Sequence, residues 1–445
     1  MDQQRTSRRS FLTLAMATPL AATALTACGG SSGPGQAAEG EASIWFLTGE
    51  PKEAIRNQSV ESFNESSETG QLAPVAYQND AYKTKIRTSI GAGQAPTLIF
   101  SWGGGSVRDW AQAGQIEDLT SWIEENPDVR TRLFDAAWNP GIVDGAIYAV
   151  PHETVQPVFL YYNKRLFDQV GAQPPQTWDD LLALVPVFTE AGIAPISLAG
   201  QSRWTTMMWL EFLVLRIAGQ DAYQAINDSA PDAWSDPAVL QALTAAQDLV
   251  RAGGFVEGYN SIVADQNADQ ALLYTDRAAM LLQGSWCFGS IKADGGDFVS
   301  GGNLGYQSFP VVTGGAGDPT STVGNPAQYY SISANATDEQ KEIARDYLAN
   351  GVLTEEIAEA FINEGGEVPI LKGVEDQLAA AEDGEFLSFV YDTAVNASFF
   401  GMSWDQALSP TAAQELLTNI EQLFGNPDGY TPQQFADAMN AATAQ

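Results

Sequence analysis

The chain has 445 residues, of which 44% are hydrophobic and 17% are charged, as is typical of globular proteins. This length exceeds what one hydrophobic core supports, so we expect two domains. Acidic residues outnumber basic residues by 55 to 21, which gives a formal net charge of -34. Such a charge repels phosphate backbones, and the sequence therefore predicts no nucleic-acid partner.

Residues for metal-dependent or triad-type catalysis are scarce. The sequence contains one histidine, His152, and two cysteines, Cys28 and Cys287. It contains no CxxC, HExxH or GxxxxGKS/T motif, which removes several of the commonest enzyme signatures. We therefore expect no catalytic residue, no metal site and no cofactor.

The first 27 residues have the features of an export signal. Arg5, Arg8 and Arg9 precede an apolar segment at 11–27 that is too short to span a bilayer as a stable helix. Residues 7–12, SRRSFL, resemble a twin-arginine signal.

A lipid anchor is predicted directly after that signal. Residues 25–28, LTAC, resemble a lipobox, in which Cys28 becomes the acylated first residue of the mature protein. Residues 28–40 then form the lipidated cysteine and a Gly/Ser-rich tether. We expect an extracytoplasmic protein, lipid-anchored to the outer face of the cytoplasmic membrane. The alternative is an accidental cysteine after a plain signal peptide.

The folded part opens with alternating strand and helix patterns. Short apolar runs at 42–47, 75–77 and 97–100 predict strands, and the segments 51–63 and 82–90 between them predict helices. This alternation is typical of a parallel sheet with helices on its faces. Ligands of such sheets collect at the carboxyl ends of the strands, so the loops there are candidate binding segments.

The stretch 145–164, GAIYAVPHETVQPVFLYYNK, is the predicted passage between two domains. Apolar residues at its two ends predict strands, while the polar residues at 152–156 interrupt them. A short polar crossing between two strands suits a chain that passes from one lobe to another. The alternative is an ordinary strand, loop and strand inside one domain.

The second half of the chain alternates strands and helices before a mostly helical C-terminal region. Apolar runs at 194–198, 304–312 and 329–333 predict strands, and the middle one is expected to carry the chain back to the first lobe. Capping signatures predict the starts of three helices, at Thr177 with Asp180, Thr337 with Gln340, and Thr431 before Pro432.

The order of these segments resembles the family 1 extracellular solute-binding proteins of ABC importers, the group that includes maltodextrin-binding protein. The matching segments are spread over the mature chain and lie at 91–99, 145–151, 162–164, 278–280, 284–286, 404–408 and 431–432.

The resemblance implies an α/β, two-lobe periplasmic-binding-protein-like fold with three hinge crossings and a helical C-terminal region. The crossings are expected at 152–156, near 309–310 and at 367–369. The N-terminal lobe would then comprise 41–152 plus 311–366, and the C-terminal lobe 153–310 plus 367–445.

The resemblance also implies a set of ligand-binding residues in the strand-end loops and crossings. Carried over by position, they are Glu50, Asn79, Asp80, Trp102, Glu153, Trp204, Trp286, Asn325, Gln328, Glu367 and Trp404. A pyranose ring has an apolar face and an equator of hydroxyls, so aromatic rings and carboxylates or amides are suitable partners for it.

The function implied is that of a monomeric, membrane-anchored binding component of an ABC importer, which delivers a neutral di- or oligosaccharide to its permease subunits. One alternative is a secreted glycoside hydrolase, which also uses carboxylates and aromatic rings. Another is a binding protein for a polyol, a glycerol phosphoester or a metal. The acidic balance and the single histidine argue against the last two ligands.

Overall fold

A computed structural model describes residues 40–444. The strands within that range are β1 Glu41–Leu47, β2 Gln71–Tyr77, β3 Leu98–Ser101, β4 Ile142–Val143, β5 Ala146–Ile147, β6 Val150–His152, β7 Thr154–Asn163, β8 Ala194–Ser197, β9 Ala278–Gly284, β10 Leu304–Gln307, β11 Thr322–Asn325, β12 Gln328–Ile332, β13 Val368–Pro369 and β14 Phe400–Met402.

Helices cover both faces of the sheets. They are α1 Lys52–Ser66, α2 Asn79–Gly91, α3 Gly105–Gln112, α4 Thr120–Glu125, α5 Pro127–Thr131, α6 Lys164–Val170, α7 Trp178–Glu190, α8 Trp204–Ile217, α9 Gln220–Asn227, α10 Pro237–Arg251, α11 Ala268–Tyr274, α12 Cys287–Asp294, α13 Asp338–Asn350, α14 Glu355–Ala360, α15 Glu375–Ala380, α16 Gly384–Val395, α17 Trp404–Ala407, α18 Pro410–Gly425 and α19 Pro432–Thr443. Within residues 40–444, no helix combines the length and the apolar character that crossing a bilayer requires.

The first lobe is built on a five-stranded sheet with the order β2-β1-β3-β12-β6. Strand β1 lies parallel to both β2 and β3, which confirms the parallel arrangement predicted for the first part of the chain. Strand β12 arrives from far along the sequence and pairs antiparallel with β3 and β6. The carboxyl ends of β1 and β3 therefore open on the same edge of the sheet.

The second lobe is built around the long strand β7. Its sheet has the order β14-β11-β7-β9-β8, and β10 and β13 also pair with β7. Nine of the ten residues of β7 are buried, because helices cover both faces of this sheet. Helix α8 is buried along 13 of its 14 residues, as expected for the central helix of a lobe.

The capping signatures identify their helices correctly. The side-chain oxygen of Thr177 accepts a hydrogen bond from the backbone N–H of Asp180 at the start of α7. Equivalent capping boxes begin α13 at Thr337 and α19 at Thr431. Each box satisfies backbone N–H groups that would otherwise lack partners at the helix start.

The chain passes between the two sheets at the first predicted crossing. Strand β6 ends at His152 in the first sheet and β7 begins at Thr154 in the second. Glu153 connects them with a φ of 63°, a left-handed conformation that is uncommon for a residue other than glycine. The segment predicted as the third crossing joins the second sheet, where Val368–Pro369 pairs with Val155 and Thr154 of β7.

The second crossing was predicted in the wrong place. Strand β10 ends at Gln307, and Phe309 is buried in the second lobe, where its ring stacks on Phe212 at a centroid distance of 4.6 Å. Strand β11 still pairs with β7 and β14, so residues 311–325 continue the second lobe. The chain leaves that lobe through Pro326 and Ala327, between β11 and β12. The aromatic stack keeps 309–310 in the second lobe, although its apolar pattern resembles a returning strand.

Candidate functional site

A cleft lies between the two lobes at the strand ends. The first lobe contributes the loop after β1, the start of α2 and the end of β3. The second lobe contributes the start of α8, the end of β9 and the segment around α17. This position agrees with the rule that ligands of open α/β sheets bind outside the carboxyl ends of the strands.

Seven of the predicted site residues line this cleft, although they are far apart in the sequence. They are Glu50, Asn79, Trp102, Trp204, Trp286, Asn325 and Gln328. The two lobes both contribute to this set, so a ligand that contacts all of it would bridge them.

Three half-buried tryptophans form the aromatic walls of the cleft. Trp102 follows β3 in the first lobe and packs its ring edge-on against Phe100 at 5.1 Å. Trp204 and Trp286 belong to the second lobe, with ring centroids 6.0 Å apart and planes inclined by 57°. The indole Nε1 of Trp204 is buried and has no hydrogen-bond partner among residues 40–444. The walls therefore offer flat apolar surface together with one unpaired donor.

Amide side chains form the hinge-side floor of the cleft. Gln156 accepts hydrogen bonds from the side-chain amides of Gln328 and Asn325, the latter at 3.4 Å. The Oδ1 atom of Asn325 is buried without a partner in the described part of the chain. Since a buried acceptor without a partner is costly, this oxygen is well suited to a ligand hydroxyl.

A second amide is held in a fixed orientation in the opposite wall. Gln283 donates from Nε2 to Oδ2 of Asp269 at 2.8 Å, and its own Oε1 has no partner among residues 40–444. Burial raises the pKa of Asp269 to about 6, so its carboxylate is ionised at neutral pH and accepts this bond. Gln283 consequently presents an acceptor toward the cleft, and sequence reasoning did not identify it.

All three cations that line the cleft are paired with carboxylates. Lys52 lies 3.0 Å from Glu367, Arg56 lies 2.8 Å from Glu153, and Lys83 lies 2.7 Å from Asp405. A phosphate or carboxylate ligand would have to compete with these carboxylates for the cations. The electrostatics of the cleft therefore favour a ligand without negative charge.

Glu153, predicted to bind ligand, is buried in an ion pair behind the cleft. Its two carboxylate oxygens each accept a hydrogen bond of 2.8 Å from the guanidinium of Arg56, and only 4% of its surface is exposed. Burial opposes its ionisation, but attraction to Arg56 outweighs burial and lowers its pKa to about 2. The prediction was wrong because the local sequence does not show that Arg56 occupies this carboxylate.

Glu367 is likewise buried outside the cleft lining. It pairs with Lys52, and it accepts hydrogen bonds from the hydroxyl of Thr154 and from Nε2 of Gln156, the second at 3.3 Å. Its Oε1 is thus occupied by Lys52 of α1, and its Oε2 is occupied by the first crossing. Glu367 cross-links the hinge, whereas the prediction assigned it to the ligand.

Trp404 is fully buried in the second lobe, so its predicted contact with ligand is wrong. Its ring packs between Tyr223 and Trp234, each at a centroid distance of 5.0 Å. Because α17 is one short turn, burying Trp404 turns its neighbours Asp405 and Gln406 toward the cleft. The prediction located the correct segment and the wrong side chain.

Asp80 lies beside the cleft rather than in its lining. Its backbone N–H donates to Oδ2 of Asp265 at 3.1 Å, which joins the start of α2 to the second lobe. Asp265 itself lines the cleft and was not predicted. Burial and the neighbouring Asp80 raise the pKa of Asp265.

Lys83 and Asp405 are the most informative residues that sequence reasoning missed. Their ion pair joins α2 of the first lobe to α17 of the second. The Lys83 ammonium lies 5.2 Å from the ring centroid of Trp102 and 6.0 Å from that of Trp204. Helical spacing was an available signal, because Lys83 lies four residues after Asn79 on the same face of α2.

The lobes also touch directly near the glycines that follow β3. A Cβ atom built on Gly105 would lie 1.9 Å from the carbonyl oxygen of Leu408, a distance that no side chain tolerates. The guanidinium of Arg108 donates to the carbonyl oxygen of Ala407 at 3.0 Å. Glycine is therefore required where the start of α3 meets the second lobe.

The fold and the cleft together define the class of protein: a two-lobe binding protein whose interlobe cleft suits an uncharged, hydroxyl-rich ligand. The family described as bacterial extracellular solute-binding protein matches residues 53–363. The chain belongs to this family, as its segment order suggested.

Individual relatives agree with this assignment. A protein named "Probable sugar-binding periplasmic protein" from Rhizobium meliloti (strain 1021) is 25% identical over 76% of this chain and 77% of its own length. A solved chain from work on xylan utilization by the thermophilic bacterium Caldanaerobius polysaccharolyticus is 27% identical, with a TM-score of 0.80, over 90% of this chain and 99% of its own. A solved chitin oligosaccharide binding protein shares the fold with a TM-score of 0.80 at 24% identity, over 91% of this chain and 99% of its own.

Proposed function

We propose that this protein is the substrate-binding component of an ABC importer and binds a neutral di- or oligosaccharide in the interlobe cleft. The observation that carries the proposal is the combination of three cleft tryptophans with unpaired amide acceptors, while every lining cation is already paired. The names of the relatives support the same ligand class.

In this proposal the aromatic rings hold the apolar faces of the sugar and the polar groups select its hydroxyls. Trp102 acts from the first lobe, and Trp204 and Trp286 act from the second. Asn79, Asn325 and Gln328 hydrogen-bond to hydroxyls, while the carboxylate of Glu50 accepts a charge-assisted bond at the rim. A ligand held from both sides stabilises closure of the lobes by hinge bending.

The alternative functions receive less support. Belonging to a substrate-binding family argues against a glycoside hydrolase, which needs two free carboxylates flanking the scissile bond. Of the three carboxylates that line the cleft, Asp405 is paired with Lys83 and Asp265 accepts the backbone N–H of Asp80, which leaves Glu50 alone. A glycerol phosphoester would require an unpaired cation in the cleft, and a polyol lacks the flat face that the tryptophans suit.

We further propose that the protein is a monomer exported through the signal at 1–27 and anchored through acylated Cys28. The signal and Cys28 lie outside residues 40–444, which the structure describes, so the export and anchoring proposals rest on the sequence alone. An anchor there would hold the binding lobes near the permease subunits. Mass spectrometry of the membrane fraction, comparing wild type with Cys28→Ala, tests it. Loss of a lipid mass and release into the medium are expected for the variant.

The binding proposal is tested by titration calorimetry of the mature domain against mono-, di- and oligosaccharides, including xylo- and chito-oligosaccharides. We expect an affinity around micromolar, about 8 kcal/mol of binding free energy, and recovery of the intact sugar. Trp286→Ala should weaken binding about 100-fold, because a buried stacking surface is lost.

Trp404→Phe is the matched control. It alters a tryptophan in the core of the same lobe, so it should lower the melting temperature and leave affinity nearly unchanged. Sugar consumed during the titration would instead establish hydrolysis, and the absence of binding to any sugar would refute the proposed ligand class.

A further inference from the structure

A second chamber adjoins the cleft on the far side of Lys83 and Asp405. Helices α2 and α3 of the first lobe line it with Arg87 and Ser106. The second lobe lines it with Gln201 and Gln414. Like the cleft, the second chamber is therefore built from both lobes.

The wall between the two spaces consists of a few side chains. The residues common to both linings are Lys83, Phe100, Trp102, Trp204, Asp405 and Gln406. The Lys83–Asp405 pair spans this wall at 2.7 Å, with the Lys83 side chain 23% exposed and the Asp405 side chain 6% exposed. The ammonium can reach water, whereas the carboxylate stays buried and needs a donor. A ligand whose hydroxyl donates to Asp405 can therefore displace the lysine side chain.

The second chamber has the same chemistry as the cleft. The Trp102 and Trp204 rings border both spaces, so aromatic surface continues through the wall. The side-chain amides of Gln201 and Gln414 are exposed and make no hydrogen bond with any other residue of the described chain. Amides beside aromatic rings are suitable partners for a further pyranose unit.

We propose that the second chamber is a binding site for the end of a longer neutral oligosaccharide, which runs from Trp286 past the Lys83–Asp405 pair. The preferred ligand is then an oligosaccharide that fills both spaces, and mono- and disaccharides occupy only the cleft. This inference rests on the proposed function and extends it by setting the length of the ligand.

The test is calorimetry of the mature domain with xylo-oligosaccharides and chito-oligosaccharides of increasing length, from one to six units. Wild-type affinity for one series should rise by about tenfold or more beyond the disaccharide. The double variant Gln201→Ala/Gln414→Ala should lose about tenfold for the long sugars and nothing for the disaccharide, because two hydrogen bonds to the distal unit are removed.

Two controls make the outcomes distinguishable. Gln220→Ala/Gln433→Ala removes exposed amides elsewhere in the same lobe and should change no affinity. Trp286→Ala should weaken short and long sugars alike. Disaccharide binding that does not strengthen with length, or equal losses for all lengths in the Gln201/Gln414 variant, would overturn the second chamber alone. Failure of every sugar to bind would overturn the proposed function as well.

Discussion

The cleft has ion pairs on its hinge side and on its outer side, and the two differ in burial. On the hinge side, Arg56 and Glu153 have side chains only 6% and 5% exposed and share two hydrogen bonds. On the outer side, Lys83 is 23% exposed and Asp405 is 6% exposed, and their single contact joins the two lobes. The first pair buries both charges, whereas the second leaves its ammonium within reach of water.

Solvent access explains this difference. A charge in the interior has no water to stabilise it, so losing its partner leaves an uncompensated ion at high cost. A partly exposed cation such as Lys83 regains hydration when its pair separates, so that pair costs less to break than the buried one. Opening of the cleft also breaks the contacts of Arg108 with Ala407 and of Asp80 with Asp265.

Breaking the buried pair should have the largest effect. Glu153→Gln leaves the Arg56 guanidinium buried without an anion, and we expect the free energy of unfolding to fall by about 3–5 kcal/mol. Urea unfolding followed by circular dichroism measures this. The double variant Arg56→Met/Glu153→Met removes both charges and should lose much less. Equal losses in the two variants would mean that packing rather than charge determines the effect.

The single histidine, on the hinge side, makes the free energy of unfolding depend on pH. Burial lowers the pKa of His152 from 6.5 to about 4, with the attraction of Glu153 opposing the shift only in part. Between pH 6.5 and pH 4, His152 is protonated in the unfolded chain and neutral in the folded chain. The free energy of unfolding therefore falls as the pH drops from about 6.5 toward 4.

His152→Phe should remove the pH dependence that His152 contributes to stability. The variant keeps an aromatic ring stacked on Tyr330, whose ring centroid lies 3.9 Å from that of His152. Between pH 7 and pH 5, wild type should lose about 2 kcal/mol more than the variant. Glu211 and Asp269 have raised pKa values, about 8 and about 6, and so contribute with the opposite sign in both proteins. Parallel stability curves for the two proteins would contradict the assignment.

Glu367 provides an intermediate case. Its partner Lys52 has a side chain that is 17% exposed and can reach water when the carboxylate is lost. Glu367→Gln keeps an acceptor for the Thr154 hydroxyl, so we expect a loss of about 1 kcal/mol in unfolding free energy. A loss as large as that of Glu153→Gln would show that the two hinge-side pairs are equally desolvated.

The outer pair should give the smallest effect. Lys83→Met/Asp405→Asn removes both charges and keeps an apolar chain against Trp102 and Trp204, so the unfolding free energy should change by about 0.5 kcal/mol. Chemical denaturation of both proteins at low and high salt measures this change. Salt screens the ion pair in wild type, so the difference between the two proteins should be smaller at high salt. A loss above that of Glu367→Gln would overturn the contrast between the two sides of the cleft.

Local patterns were sufficient to predict most of the elements and part of the cleft. Apolar runs with turn signals identified β1, β3 and β8, and capping signatures identified α7, α13 and α19. The strand-end rule then located Glu50, Trp102 and Trp286 in the cleft. These predictions succeed because a strand end or a helix start is specified by residues close together in the sequence.

Only the tertiary structure decided which polar and aromatic residues line the cleft. Glu153 is paired with a residue 97 positions away, and the Lys83–Asp405 contact joins residues 322 positions apart. The burial of Trp404 and the position of the second crossing likewise depend on packing within the second lobe. By itself, the sequence determined the family and the order of the elements. The partners of its charges depend on distances in space, which no local pattern encodes.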